Sequence, residues 1–180
     1  MKIPIPFFVL SVLLFTGCVS QYKVVVDFSH DLQRHFGEFP TIEVDIAAVT
    51  DSEANEVRQM GVEQYFTPNS GIRERLQAQT VFFKLEERGS FVLPSRAPVW
   101  QTWQQKDPSE IMVIASLPHD PSMTPQADPR FLFVRMARSY VFARTINILV
   151  EPRSIKRLER SGFRRNQDRS QAVQQWVEPR

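Results

Sequence analysis

The 180-residue chain holds a single cysteine, Cys18. That excludes an internal disulfide framework, so apolar burial and hydrogen bonds must hold the fold. Histidines are scarce too: only His30, His35 and His119 occur, and their spacing matches no zinc motif. A nucleophile elbow, a phosphate-cradling glycine loop and a dinucleotide fingerprint are all missing. No apolar run approaches the roughly 20 residues a membrane-spanning helix requires. These absences leave no catalytic constellation, and the chain reads as a protein that is not an enzyme. No cofactor or metal is expected.

What is present starts at the amino terminus. Lys2 precedes the apolar run Phe7–Phe15, which stops at a small residue and then the cysteine. A positive residue, a run of about a dozen apolar residues and a small-residue stop read as a secretory signal peptide over residues 1–17. The segment Leu14-Phe15-Thr16-Gly17-Cys18 resembles the lipobox of bacterial lipoproteins, with Phe15 where that motif prefers Leu. The resemblance implies cleavage before Cys18, a diacylglycerol on its thiol and an acyl chain on the new amino terminus. The plainer reading is an ordinary signal peptide followed by a cysteine of no special role. The cysteine-free remainder favours lipidation, because Cys18 has no disulfide partner within the chain. In lipoproteins of this kind an Asp directly after the cysteine retains the protein at the inner membrane. Val19 stands there, so the expected location is the inner leaflet of the outer membrane, facing the periplasm.

Charge divides the rest. From Arg153 onward eight Lys/Arg face three Asp/Glu, whereas residues 19–152 carry thirteen against seventeen. The expected organisation is one domain over residues 18–158 and a basic, disordered tail over 159–180. The tail could meet anionic lipid, cell-wall polymer or an acidic partner, and plain solubilising disorder is its simplest reading. No nucleic-acid partner is expected.

Along the domain, Tyr22–Phe28 is β-branched, with Tyr22, Val24, Val26 and Phe28 on one face. Ser29–Pro40 reads as a loop. Ile42–Ile46 alternates, which predicts a half-buried strand with Glu43 and Asp45 in water. Thr50-Asp51-Ser52-Glu53 is a capping box, followed by Ala54, Val57 and Met60 at helical spacing and a stop at Gly61. A second turn over residues 62–66 and a third capped by Ser70 complete a helical insertion, expected over an open end or edge of the sheet. Residues 80–85, 90–93, 111–115, 131–136 and 145–150 are further strands, and 111–115 reads as buried on both faces. Seven strands with one helical insertion between early strands predict an all-β, two-sheet sandwich; a small closed barrel is the second possibility.

Little chemistry competes with this. His30 and His35 share a loop with Asp31 and Glu38, which as a metal set is outweighed by solvated loop residues. Ser29-His30-Asp31 names the residue types of a hydrolase, but adjacent residues do not form the required relay. Trp100 and Trp103, one helical turn apart, form either a core lid or, with Tyr65, a pocket for a sugar or lipid. That pocket defines the alternative function, a ligand-binding lipoprotein.

The order of parts carries a resemblance. A lipobox is followed by Val24-Val25-Val26-Asp27, a polar loop, Pro40–Ile46, a helical insertion, Ile111–Leu117, Arg130–Val134 and Thr145–Val150 with Ile155 after it. This resembles the outer-membrane lipoprotein of type VI secretion systems, the TssJ family, over roughly residues 22–158. The resemblance implies a transthyretin-like two-sheet sandwich without catalytic activity. It implies a role in anchoring an envelope-spanning complex by binding the periplasmic domain of a large inner-membrane protein. The contact would run partly through the loop between the first two strands, here Ser29–Pro40. The candidate partner-binding residues are therefore His30, Asp31, Leu32, Arg34, His35 and Phe36. The loop departs from the family, whose members often carry Asn, Pro and Gly there. Leu32 and Phe36 are its large apolar residues: either one of them is exposed as an interface anchor, or Phe36 folds back over the sandwich end.

Overall fold

The computed structural model describes residues 22–37, 41–68, 70–83, 90–118, 128–137 and 144–159. The signal segment and Cys18, residues 38–40 with Glu38, His119 and residues 160–180 lie outside them.

The described residues form eight strands in two four-stranded sheets, a sandwich and not a closed barrel. The strands are β1 Tyr22–Phe28, β2 Ile42–Val49, β3 Gln79–Phe83, β4 Phe91–Leu93, β5 Glu110–Ala115, β6 Phe131–Arg135, β7 Arg144–Glu151 and β8 Ser154–Leu158. One sheet runs β4-β1-β7-β8 and the other β3-β2-β5-β6. β1 and β7 are parallel, with Tyr22 opposite Arg144 and Phe28 opposite Val150. All other pairs are antiparallel.

The period-two pattern of β1 works as expected: Tyr22, Val24 and Val26 are buried in the common core and Phe28 packs against it. β5 is buried along its whole length. The strand missing from the sequence reading is β8, which brings the count to eight. Lys156 and Arg157 interrupt its apolar residues, as suits an edge strand that pairs on one side only.

Five short helices accompany the sheets: α1 Asp31–Phe36, α2 Asp51–Met60, α3 Val62–Tyr65, α4 Ile72–Leu76 and α5 Val99–Gln104. The capping box at α2 is complete. Thr50 Oγ1 accepts from Glu53 N at 3.3 Å and Glu53 Oε2 accepts from Thr50 N at 2.9 Å. Ala54 and Val57 are buried beneath the helix. Gly61, with φ of +82°, makes the turn into α3, and its amide closes α2 on Val57 O. Ser70 does not cap α4. Gly71 holds that position, and the Ser70 hydroxyl donates to Tyr65 O.

Two expectations fail together. The insertion α2–α4 does not cover an end or edge; it lies on the outer face of the β3-β2-β5-β6 sheet, where Tyr65 and Arg73 reach Asp45 and Arg58 stacks over Phe133. Asp45 is consequently not in water but fully buried. Alternation alone could not reveal this, because a sheet face covered by helices can hold a paired carboxylate. α5 is the core lid: Trp100 and Trp103 are buried edge to face, and Trp100 packs on Tyr22.

Candidate docking surface

The segment between β1 and β2 contains a helix where the sequence reading placed a loop. α1 spans six residues, too short to show a period, yet Leu32 and Phe36 are spaced i and i+4 and share one face. Ser29 Oγ accepts from Asp31 N at 3.2 Å, and Gly37 ends the helix in the left-handed region at φ +77°.

Folding of α1 sorts the candidate residues. Leu32 is fully buried, and Phe36 packs half-buried against the core, so this apolar pair turns inward and covers the sandwich. Asp31, Gln33, Arg34 and His35 are exposed. Arg34 Nη1 donates to Asp31 Oδ1 at 3.1 Å, an exposed pair that contributes little stability but fixes the charge pattern. His35 meets the Phe36 ring edge-on. His30 is half-buried, and its Nε2 is buried without a hydrogen-bond partner. The outward surface is thus polar and of mixed sign, laid over an apolar base.

No catalytic or metal arrangement arises from these residues. The Ser29 hydroxyl is engaged by Asp31, with Oγ donating to Oδ2 at 3.3 Å, and not by His30. Among the described residues no group of three or more His, Cys, Asp or Glu is gathered to hold a metal ion. The pocket of the alternative function is also overturned. Trp100, Trp103 and Tyr65 are all buried with their polar atoms committed. Trp100 Nε1 donates to Pro94 O, Trp103 Nε1 to Leu76 O, and Tyr65 Oη to Asp45.

Sequence reasoning missed two ionic networks that tie the helical insertion to the β3-β2-β5-β6 sheet. In the first, Asp45 Oδ2 receives Tyr65 Oη at 2.9 Å and Arg73 Nε at 2.7 Å, while Arg73 also pairs with Glu43. Burial, and then the adjacent Asp45 charge, push the Tyr65 phenol far above its ordinary range. Burial opposes the Arg73 charge, but the hydrogen bonds it donates to Asp45 and Glu43 outweigh that cost and raise the guanidinium. In the second network the buried Arg130 meets Asp128 at 2.6 Å, Glu63 at 2.6 Å and Leu117 O at 2.9 Å. It joins α3 to both ends of the β5–β6 connection. The only sequence signal for either network was a charge at a position that alternation or the strand boundary assigned to water. Phe82 and Val92 are the large apolar side chains that stand exposed among the described residues, on the edge strands β3 and β4.

No family model and no curated protein matches the chain. Solved structures do. The fold aligns with Serratia marcescens Lip, a membrane-bound component of the type VI secretion system, at TM-score 0.51 and 11% identity, covering 78% of this chain and 98% of that one. A chain in the structure of the T6SS protein TssM C-terminal domain from EAEC aligns at TM-score 0.52 and 10% identity, covering 78% and 99%. A chain of a type VI membrane complex aligns at TM-score 0.51 and 11% identity, with the same coverage. The fold is TssJ-like.

That likeness agrees with the two-sheet sandwich and helical insertion expected from the sequence. Within the TssJ-like frame, α1 occupies the connection between the first two strands, with Leu32 as its root in the core.

Proposed function

We propose that this chain is a non-catalytic outer-membrane lipoprotein that anchors an envelope-spanning type VI secretion complex by docking the periplasmic domain of a large inner-membrane protein. The observation that carries the reading is a TssJ-like sandwich encoded directly behind a lipobox. Under this reading Cys18 bears the diacylglycerol and N-acyl chains, and Val19 lets the protein pass to the inner leaflet of the outer membrane. Acyl chains contribute about 0.8 kcal/mol per buried CH₂, so two or three hold a domain firmly to one leaflet. The exposed face of α1, with Asp31, Gln33, Arg34 and His35, is the docking surface, with Leu32 and Phe36 as its support.

Two measurements test this. Cys18→Ser should accumulate as unprocessed precursor and lose labelling by a fatty-acid probe; equal labelling of both forms refutes the anchor. Capture of the full chain from solubilised envelopes should bring down the large inner-membrane protein, and its absence at any detergent concentration refutes the anchoring role.

A further inference from the structure

Each sheet ends in two edge strands, β3 and β6 in one and β4 and β8 in the other. An open edge presents backbone N–H and C=O groups that can pair with another chain. Proteins usually blunt such an edge with charge, proline, a bulge or brevity. Three of these edges are blunted in that way: β4 is three residues long, β8 exposes Lys156 and Arg157, and β6 ends on the exposed Arg135. β3 has none of these devices. Gln79-Thr80-Val81-Phe82-Phe83 carries no charge and no proline, and it pairs with β2 in unbroken register over its whole length.

Backbone direction shows what the β3 edge offers. Glu43 O accepts from Ser116 N at 2.9 Å, so Glu43 turns its backbone groups toward the β5 side. Bonded and non-bonded positions alternate along an antiparallel pair. Ile42, Val44 and Ile46 therefore face β3, and their partners Phe83, Val81 and Gln79 face β2. Thr80 and Phe82 are left with N–H and C=O directed at the open side. Among the described residues that side receives one long contact, from Gln79 Nε2 to Thr80 O at 3.4 Å. The edge is apolar as well, because the Phe82 side chain is 54% exposed.

This pattern is complementary to itself. A second copy turned about a two-fold axis at Val81 sets Thr80 of each copy opposite Phe82 of the other. Both residues direct their groups outward, so each of the two pairs exchanges two bonds, about four in all. Val81 meets Val81 as the non-bonded pair between them. The two Phe82 rings become diagonal neighbours at ~7–8 Å, within aromatic reach, and leave water together. The strand is uncharged, so no like charges are opposed within it. Five residues a side fall well short of the roughly 20–30 of a standard interface, so the contact forms where copies are crowded.

We infer that β3 is a self-pairing edge, which joins two copies through a continuous sheet β6-β5-β2-β3-β3-β2-β5-β6. The pairing requires neither an acyl anchor nor a secretion partner. The full chain with Phe82→p-benzoylphenylalanine, irradiated in solubilised envelopes and after purification in detergent, tests this. Irradiation should give a covalent dimer whose linkage maps to residues 79–83 of the second copy. Thr80→Pro deletes an outward N–H but no bond to β2, a position where an edge tolerates proline. It should lower the dimer yield several-fold, whereas Val92→Ser on the β4 edge should leave the yield unchanged. Phe82→Glu changes an exposed side chain and supplies a second readout should Thr80→Pro fail to fold. In sedimentation velocity it should stay monomeric at concentrations where wild type rises above the monomer mass. Linkage mapped elsewhere in the second copy, or linkage to a different protein with none to a second copy, overturns the pairing. Equal self-association of wild type and Phe82→Glu overturns it too.

Discussion

Tyr65 donates its phenol hydrogen to Asp45 Oδ2 at 2.9 Å, across the outer face of a sheet whose strand pattern placed Asp45 in water. The pair, with Arg73, fastens the helical insertion to β2. Asp45→Ala takes the partner from the buried Tyr65 hydroxyl and leaves the Arg73 guanidinium with Glu43 and Thr80. It should cost about 3–5 kcal/mol, as when one partner of a buried ion pair is removed. Tyr65→Phe removes one bond and should cost about 1–2 kcal/mol. Urea unfolding of the two variants checks the order; a larger loss from Tyr65→Phe would contradict it.

The same pair sets an alkaline dependence. Burial and the Asp45 charge raise the folded phenol above its unfolded value of about 10. The stability linked to its proton is therefore fully present below about pH 10 and lost as pH rises further, at up to about 1.4 kcal/mol per pH unit. Wild type should lose more stability than Tyr65→Phe between about pH 9 and pH 11. Parallel loss in the two proteins would refute the assignment.

The capping box gives the acid counterpart. Glu53 pays a burial cost that alone would raise its carboxyl, yet hydrogen bonds from Thr50 and the Lys106 ammonium hold it below the usual value. Its contribution is thus present above about pH 4.5 and fades as pH falls through the lowered value. Thr50→Ala should cost about 1 kcal/mol as a lost cap. Val57→Asp should cost several times more, because it places an unpaired charge beneath α2. Thermal melts near neutral pH and near pH 4 check all three statements, and an unchanged melting temperature for Val57→Asp would show that α2 is not docked as described.

What could be read from the chain divides along a physical line. β1, β5, the α2 cap and the Trp100–Trp103 lid were legible because each is specified by its own local period or a short motif. Asp45, Arg130 and β8 were not, because what decides them lies elsewhere in the sequence. Asp45 is buried by Tyr65 and Arg73, Arg130 is matched by Glu63, and β8 is a strand because β7 offers it an edge. The candidate site failed in a third way: α1 is one and a half turns long, so Leu32 and Phe36 gave a single coincidence where a longer helix gives several.

Arg130 tests the missed connections. Burial opposes its charge, but the hydrogen bonds it donates to Asp128 and Glu63 outweigh that cost and raise the guanidinium. Arg130→Met removes the guanidinium that pairs with the buried Asp128 at 2.6 Å and should cost about 3–5 kcal/mol. Glu63→Gln, on the exposed side of the network, should cost less than about 1 kcal/mol. Similar denaturation midpoints for the two variants would show that Arg130 is not held mainly from within.

The last prediction concerns α1, where stability and docking are carried by opposite faces. Leu32 is fully buried, so Leu32→Ala should cost about 2–5 kcal/mol. Phe36 is packed but only half-buried, and Phe36→Ala should cost less than a fully buried aromatic would. Neither variant can be read for partner binding until its melting curve is known. Gln33, Arg34 and His35 are exposed and should melt within about 0.5 kcal/mol of wild type when changed singly to Ala. If the outer face of α1 docks the periplasmic domain of the inner-membrane partner, at least one of these three should weaken binding by about 1–2 kcal/mol. Where Arg34 contributes, the association rate of wild type should also fall as salt is raised, more than that of Arg34→Ala. Titration calorimetry with that periplasmic domain, beside melts of the same preparations, separates the two faces. Unchanged affinity in all three stable variants, and in the triple variant, would remove α1 as the docking surface while leaving the fold argument intact.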